Sequence, residues 1–154
     1  MLRVIALLRH GKASGQGPDA ALTPEGAGEL RRLGARLGAE GWAPAAVMTS
    51  PYRRARESAR VIAGMVTPAA ETHVLGELKP DEEPEDALEA ILEAAPLATP
   101  VLVVTHLPLV GRLARELLGE EIAFFPGTFV EVVRDGDGSA RLLRRLNAHD
   151  LPPA

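Results

Sequence analysis

Two histidines and two arginines stand where phosphoryl chemistry could use them. An apolar run over residues 4–8 ends in Arg9-His10-Gly11, and a second over 101–104 ends in Thr105-His106. Between them, the run over 45–49 leads into Ser50-Pro51-Tyr52-Arg53-Arg54-Ala55. A neutral imidazole is a competent nucleophile near neutral pH, because its ordinary pKa is about 6.5. A guanidinium fork binds a phosphoryl group through two parallel hydrogen bonds. Gly11 allows a sharp exit from a strand and close approach of a ligand to the backbone. Arginines beside His10 are expected to lower its pKa by like-charge repulsion, keeping it unprotonated. His10, Arg9, Arg54 and His106 together could bind a phosphoryl group and attack it.

Helical geometry singles out Arg54 from its neighbours. At about 100° per residue, Ser58, Val61 and Met65 fall within about 40° of Arg54, whereas Arg53, Arg56 and Arg60 form a separate stripe. Three arginines therefore mark a solvated face, and Arg54 points with the apolar side. A buried guanidinium needs a partner, which is either an internal carboxylate or a bound phosphate. A position in the first helical turn, beside free N–H groups, favours the anion. His106 reads either as a capping histidine or as a donor to phosphoryl oxygens. A two-histidine metal site is disfavoured, since no carboxylate stands at ligand spacing. Glu77, after a weak strand, is a candidate general acid. Gln16, Lys12 and Ser14, in the loop after His10, are candidates for substrate contact. His73 and His149 read as surface residues.

The elements that must carry these groups alternate. Strands are expected at 3–8, 45–49, 72–76 and 101–105, with helices at 24–37, 51–65, 85–95 and 108–118. Thr23-Pro24-Glu25 gives the first helix an N-cap, a proline at its first position and an acidic first turn, and Gly38 or Gly41 closes it. Ser50-Pro51 reads as a second cap-then-proline start, and Gly119 ends the last helix. Two further strands, 129–133 and 141–144, are joined by Asp135-Gly136-Asp137-Gly138, a hairpin signal. Alternation of this kind implies a single three-layer α/β/α domain over residues 1–150, with a mostly parallel central sheet and a loose tail at 151–154. In such sheets ligands bind beyond the carboxyl ends of the strands. All three motif junctions are strand-to-helix turns, so they should gather at one edge.

Composition excludes other classes. The chain has 154 residues and no cysteine, which removes thiolate metal sites, disulfides and cysteine nucleophiles. A net charge of −4 and 3% aromatic content argue against nucleic-acid binding. No apolar stretch is long enough to span a bilayer and no signal peptide is evident, so the expectation is a cytoplasmic protein without membrane association.

The residues Leu8-Arg9-His10-Gly11, Leu22-Thr23-Pro24-Glu25-Gly26, Ser50-Pro51-Tyr52-Arg53-Arg54-Ala55 and Thr105-His106, in that order, resemble the motifs of the histidine phosphatase, or phosphoglycerate mutase-like, superfamily. Thr105-His106-Leu107-Pro108-Leu109-Val110-Gly111 and Leu75-Gly76-Glu77-Leu78-Lys79-Pro80 are most similar to its SixA-type phosphohistidine phosphatases. The resemblance implies a phosphoglycerate mutase-like fold, His10 as the phosphorylated nucleophile, and Arg9, Arg54 and His106 as the phosphate pocket, without a metal or other cofactor. It places Glu77 where many relatives carry a general acid, although SixA-type proteins are thought to act without an obvious one. The implied partner is a protein bearing phosphohistidine; the alternatives are a small phosphate ester or a non-catalytic phosphate-binding role. Only 51 residues separate Arg54 from His106, too few for a large lid, so an open, shallow site is expected.

Overall fold

The computed structural model describes residues 2–68 and 70–153. Its elements follow one another as β1 (Arg3–Arg9), α1 (Pro24–Ala39), β2 (Ala46–Thr49), α2 (Arg53–Val66), β3 (Glu71–Val74), α3 (Pro84–Ala94), β4 (Val101–Thr105), α4 (Leu109–Leu118), β5 (Thr128–Arg134) and β6 (Ala140–Asn147). They form one sheet in the order β3-β2-β4-β1-β5-β6. The pairs β2/β3, β2/β4 and β1/β4 are parallel, while β5 and β6 add on antiparallel. The mostly parallel α/β sheet read from the sequence is therefore present.

Alternating side chains of the central strands feed two cores. Ile5, Leu7, Met48, Val101 and Val103 pack under α3 and α4, which contribute Ala87, Ile91, Val110, Leu113 and Leu117. Ala6, Leu8, Val47, Leu102 and Val104 pack under α1 and α2, through Leu30, Leu33, Leu37, Ala55, Ala59 and Ile62. Each helix presents its apolar residues at three- and four-residue spacing, and each fully buried leucine or isoleucine is worth about 1.5–3 kcal/mol. Strands buried on both faces need continuous apolar runs, which is why β1 and β4 were so legible.

The first helix starts as its sequence directs: Thr23 Oγ1 accepts the amide of Gly26 at 2.9 Å, with Pro24 in the first position. Gly26 is required by packing, since a Cβ there would lie 2.5 Å from the carbonyl oxygen of Lys12. That close approach presses α1 onto the chain leaving β1. Gly38 remains helical, and Gly41, at φ +75°, follows the Glu40 cap.

Two expectations shift. The second helix begins at Arg53 rather than Pro51, because the Ser50 side chain is committed elsewhere. Its buried face runs through Arg54, Ala55, Ser58, Ala59 and Ile62, while Met65 is 40% exposed. Arg54 thus sits at the border of the buried arc, not at its centre. At the carboxyl end, Leu151 is part-buried against the α1/α2 core, while Pro152 and Pro153 are exposed; residue 154 lies outside the described residues. No helix among the described residues is long and apolar enough to cross a membrane.

Candidate active site

The neighbouring strands β2, β4 and β1 run parallel and end level with one another: Arg9 pairs with Thr105, and Thr49 with Val104. The ladder continues one residue further on both sides, with His10 N donating to Thr105 O at 3.0 Å and Ser50 N to Val104 O at 3.1 Å. His10, Ser50 and His106, far apart in sequence, are thereby set side by side at the carboxyl edge of the sheet.

His10 is 8% exposed, and its ring is fixed at both nitrogens. Nδ1 lies 2.7 Å from the carbonyl oxygen of Gly11. A carbonyl can only accept, so Nδ1 carries the proton. Arg54 Nε donates to His10 Nε2 at 3.2 Å, so Nε2 holds the lone pair. Burial pushes the His10 pKa down to about 4; the Gly11 hydrogen bond opposes this, and the charges of Arg54 and Arg9 add to it. The arginine effect expected from the sequence is present but is subordinate to burial.

His106 stands with its ring centroid 5.0 Å from that of His10. Its Nε2 lies 2.7 Å from Ser50 Oγ, which also accepts the amide of Tyr52 at 3.1 Å. The other ring nitrogen, Nδ1, is buried without a partner. Burial, then the charges of His10, Arg54 and Arg9, push the His106 pKa down to about 3. Ser50 was read as a helix cap, and its role here was missed. The Ser-Pro step after a buried strand was its only signal.

The guanidiniums complete the cluster. Arg9 Nη1 donates to Phe124 O at 3.0 Å, while its Nε is buried without a partner. Arg54 Nη1 donates to the carbonyls of Gln16 and Gly17 at 3.1 and 2.8 Å, and its guanidinium lies 5.0 Å from the centre of the Tyr52 ring. Neither arginine has a carboxylate partner among the described residues. Burial lowers the pKa of both, and for Arg9 the charge of Arg54 adds to it. Unpaired part-buried cations are costly. Two of them, beside a buried imidazole nitrogen without a partner, make a cradle suited to an oxyanion.

Arg9, His10, Arg54 and His106 line one pocket of about 580 Å³. Gln16 lines it too, and its backbone carbonyl accepts from Arg54. Lys12 reaches its wall, but its ammonium is held by Glu25 and Glu29 at 2.7 and 3.2 Å. Ser14 is not at the wall; its amide pins the loop through Ala21 O at 2.8 Å. Glu77 is exposed on the short turn Gly76–Leu78 and does not line the pocket. Asp81, four residues on, does. His73 lies on the edge strand β3, and His149 is exposed beside Phe125. No group of three or more potential metal-ligating His, Asp or Glu side chains occurs among the described residues.

A mostly parallel α/β sheet thus gathers two imidazoles and two guanidiniums at the carboxyl edge of its parallel strands. The family described as histidine phosphatase superfamily (branch 1) matches residues 5–80, a stretch just under half of the chain that includes Arg9, His10 and Arg54, and the chain resembles that superfamily in sequence and in fold. The chain is similar to the protein histidine phosphatase SixA, solved with tungstate: 27% identity, TM-score 0.85, covering 96% of this chain and 98% of that one. A protein described as a phosphohistidine phosphatase SixA homolog from Haemophilus influenzae is 41% identical over 49 residues, which is 30% of each chain. A phosphoserine phosphatase mutant from Entamoeba histolytica, in complex with phosphoserine, shares the fold at TM-score 0.76 and 15% identity, covering 95% of this chain and 98% of that one.

Proposed function

We propose that the protein is a metal-independent phosphatase that hydrolyses phosphohistidine on another protein, by way of a phosphohistidine of its own at His10. The observation that carries this reading is the pairing, in one pocket, of a His10 Nε2 lone pair with two buried nitrogens that have no partner, Arg9 Nε and His106 Nδ1; with its proton on Nδ1, His106 donates there to the phosphoryl group. The phosphoryl oxygens take those donors and the Arg54 fork. His10 Nε2 leaves its bond with Arg54 and attacks phosphorus as the bond to the leaving group breaks. Water then hydrolyses the His10–phosphorus bond. The two guanidiniums supply the positive charge that the transferring group needs. Tungstate is a tetrahedral oxyanion, and its binding to the SixA relative supports an anion cradle here.

Leaving-group chemistry supports the substrate class. An alkyl phosphate must expel an alkoxide, whose conjugate acid resembles water at about 15.7, and so needs a strong acid. A phosphohistidine ring protonated on its other nitrogen expels neutral imidazole, whose conjugate acid titrates near 6.5 and which leaves far more readily. Glu77, the candidate acid, stands outside the pocket. The stretch from Arg54 to His106 is taken up by α2, β3, α3 and β4 with their short connections, leaving the mouth open to a protein side chain.

The test is turnover in EDTA of a phosphohistidine peptide, an aryl phosphate and a sugar phosphate, for the unaltered protein and Glu77→Gln. The expectation is cleavage of the first two, sugar phosphate slower by about 100-fold or more, and no effect of the substitution. Best turnover on the sugar phosphate would favour a small-molecule phosphomonoesterase. Phosphate binding without turnover would favour a non-catalytic role.

A further inference from the structure

The pocket contains one carboxylate that the foregoing mechanism does not use. Its charged lining comprises Arg9, His10, Lys12, Arg54 and His106, and against these stands Asp81. Asp81 is exposed at the pocket rim and has no hydrogen-bond or ion-pair partner among the described residues. Nor is it placed at random. Its segment is moored to the site three residues earlier, where the Thr105 hydroxyl donates to Leu78 O at 2.6 Å and the Leu78 side chain is fully buried. Thr105 is the residue before His106, so Asp81 is tethered to the strand end that carries the second imidazole.

A carboxylate in a pocket that collects phosphate oxygens is unfavourable for a plain anion site. Its presence selects a substrate that brings a cation, or a strong N–H donor, along with its phosphoryl group. Phosphohistidine does so. When its N–P bond breaks, the electron pair stays on the substrate ring. If the other ring nitrogen carries a proton, a neutral imidazole departs and no proton moves in that step. If that nitrogen is bare, the ring must leave as imidazolate, a much poorer leaving group. We infer that the Asp81 carboxylate accepts the N–H of the substrate ring nitrogen not bonded to phosphorus, holding the leaving imidazole protonated while His10 Nε2 bonds to phosphorus. This rests on the phosphohistidine reading above and assigns Asp81 to the leaving group, with phosphate left to Arg9, Arg54 and His106.

The experiment compares the unaltered protein with Asp81→Asn and Asp81→Glu on a phosphohistidine peptide and on an aryl phosphate, across pH 5–9. Asp81→Asn is expected to lower kcat/KM for the peptide about tenfold at alkaline pH and to move the alkaline fall of the peptide profile to lower pH. Aryl phosphate cleavage should hold or rise, since a charge that repels its phosphate is removed, and Asp81→Glu should recover much of the peptide activity. Equal loss on both substrates, or an unmoved peptide profile, would overturn the assignment while leaving the phosphohistidine reading intact. An unaltered protein that cleaves the aryl phosphate but not the peptide would overturn both.

Discussion

Two of the clusters of part-buried charge in the molecule are built on opposite plans. Against the face that carries α1, Glu131 accepts Trp42 Nε1 at 2.9 Å and also pairs with Arg144, which bonds Glu40 at 2.7 Å; Glu40 in turn holds Arg36 at 2.8 Å. Two carboxylates answer two guanidiniums. Burial works against the Arg144 charge, yet its bonds to Glu40 and Glu131 hold its pKa above the usual value. At the carboxyl edge of β1, β2 and β4, Arg9 and Arg54 meet only backbone carbonyls, an aromatic ring and imidazoles, and their pKa values fall. The first cluster is closed on itself and adds stability. The second leaves donors unsatisfied, which costs stability in the free protein and is recovered when an anion binds.

Removing charge should therefore have opposite consequences in the two places. Arg9→Ala and Arg54→Ala are expected to lower kcat by about 100- to 1000-fold, the usual effect of deleting a donor to a developing oxyanion, with Tm unchanged or raised. Steady-state kinetics and a thermal melt check both. Glu131→Gln should do the reverse, costing about 2 kcal/mol by denaturant titration with kinetics within about twofold. A pocket arginine whose loss mainly unfolds the protein would erase the distinction.

The contrast extends to pH. The two pocket imidazoles titrate at about 4 and about 3 in the folded protein, against about 6.5 in an unfolded chain. Between those values the unfolded chain binds more protons, so stability is full above about pH 6.5 and falls as pH drops toward 4 and then 3. Bound phosphate places negative charge beside both rings, raises both pKa values and shrinks this loss. Denaturant titrations at pH 7 and pH 4.5, with and without phosphate, should show an acid destabilisation that phosphate relieves and that a His10→Asn/His106→Asn double variant lacks. Catalysis should follow the same groups, with the acid limb of kcat/KM near 4, not near 6.5.

How far this was legible follows from what a sequence can encode. Apolar runs buried on both faces announced β1 and β4, and Thr23-Pro24 announced α1. Because β2, β4 and β1 are parallel neighbours, the three junctions converged as expected. What was hidden depends on side-chain reach and on backbone atoms, which carry no composition signal. Ser50-Pro51 has the form of a helix start, yet the Ser50 hydroxyl goes to His106 and the helix waits for Arg53. The carbonyls of Gln16, Gly17 and Phe124, which aim the two arginines, could be supplied by any residue type. Glu77 and Asp81 both lie between β3 and α3, and the sequence does not tell which lines the pocket; Asp81 does and Glu77 does not.

The central claim is that an anion held by Arg9, Arg54 and His106 is attacked by His10. The most direct measurement is a rapid acid-free quench of the protein with a radiolabelled phosphoryl donor, followed by peptide mapping. The account predicts an acid-labile label on His10 alone, formed within a turnover and absent in His10→Ala. Continued turnover with no label on His10, or label on His106 in its place, would contradict it.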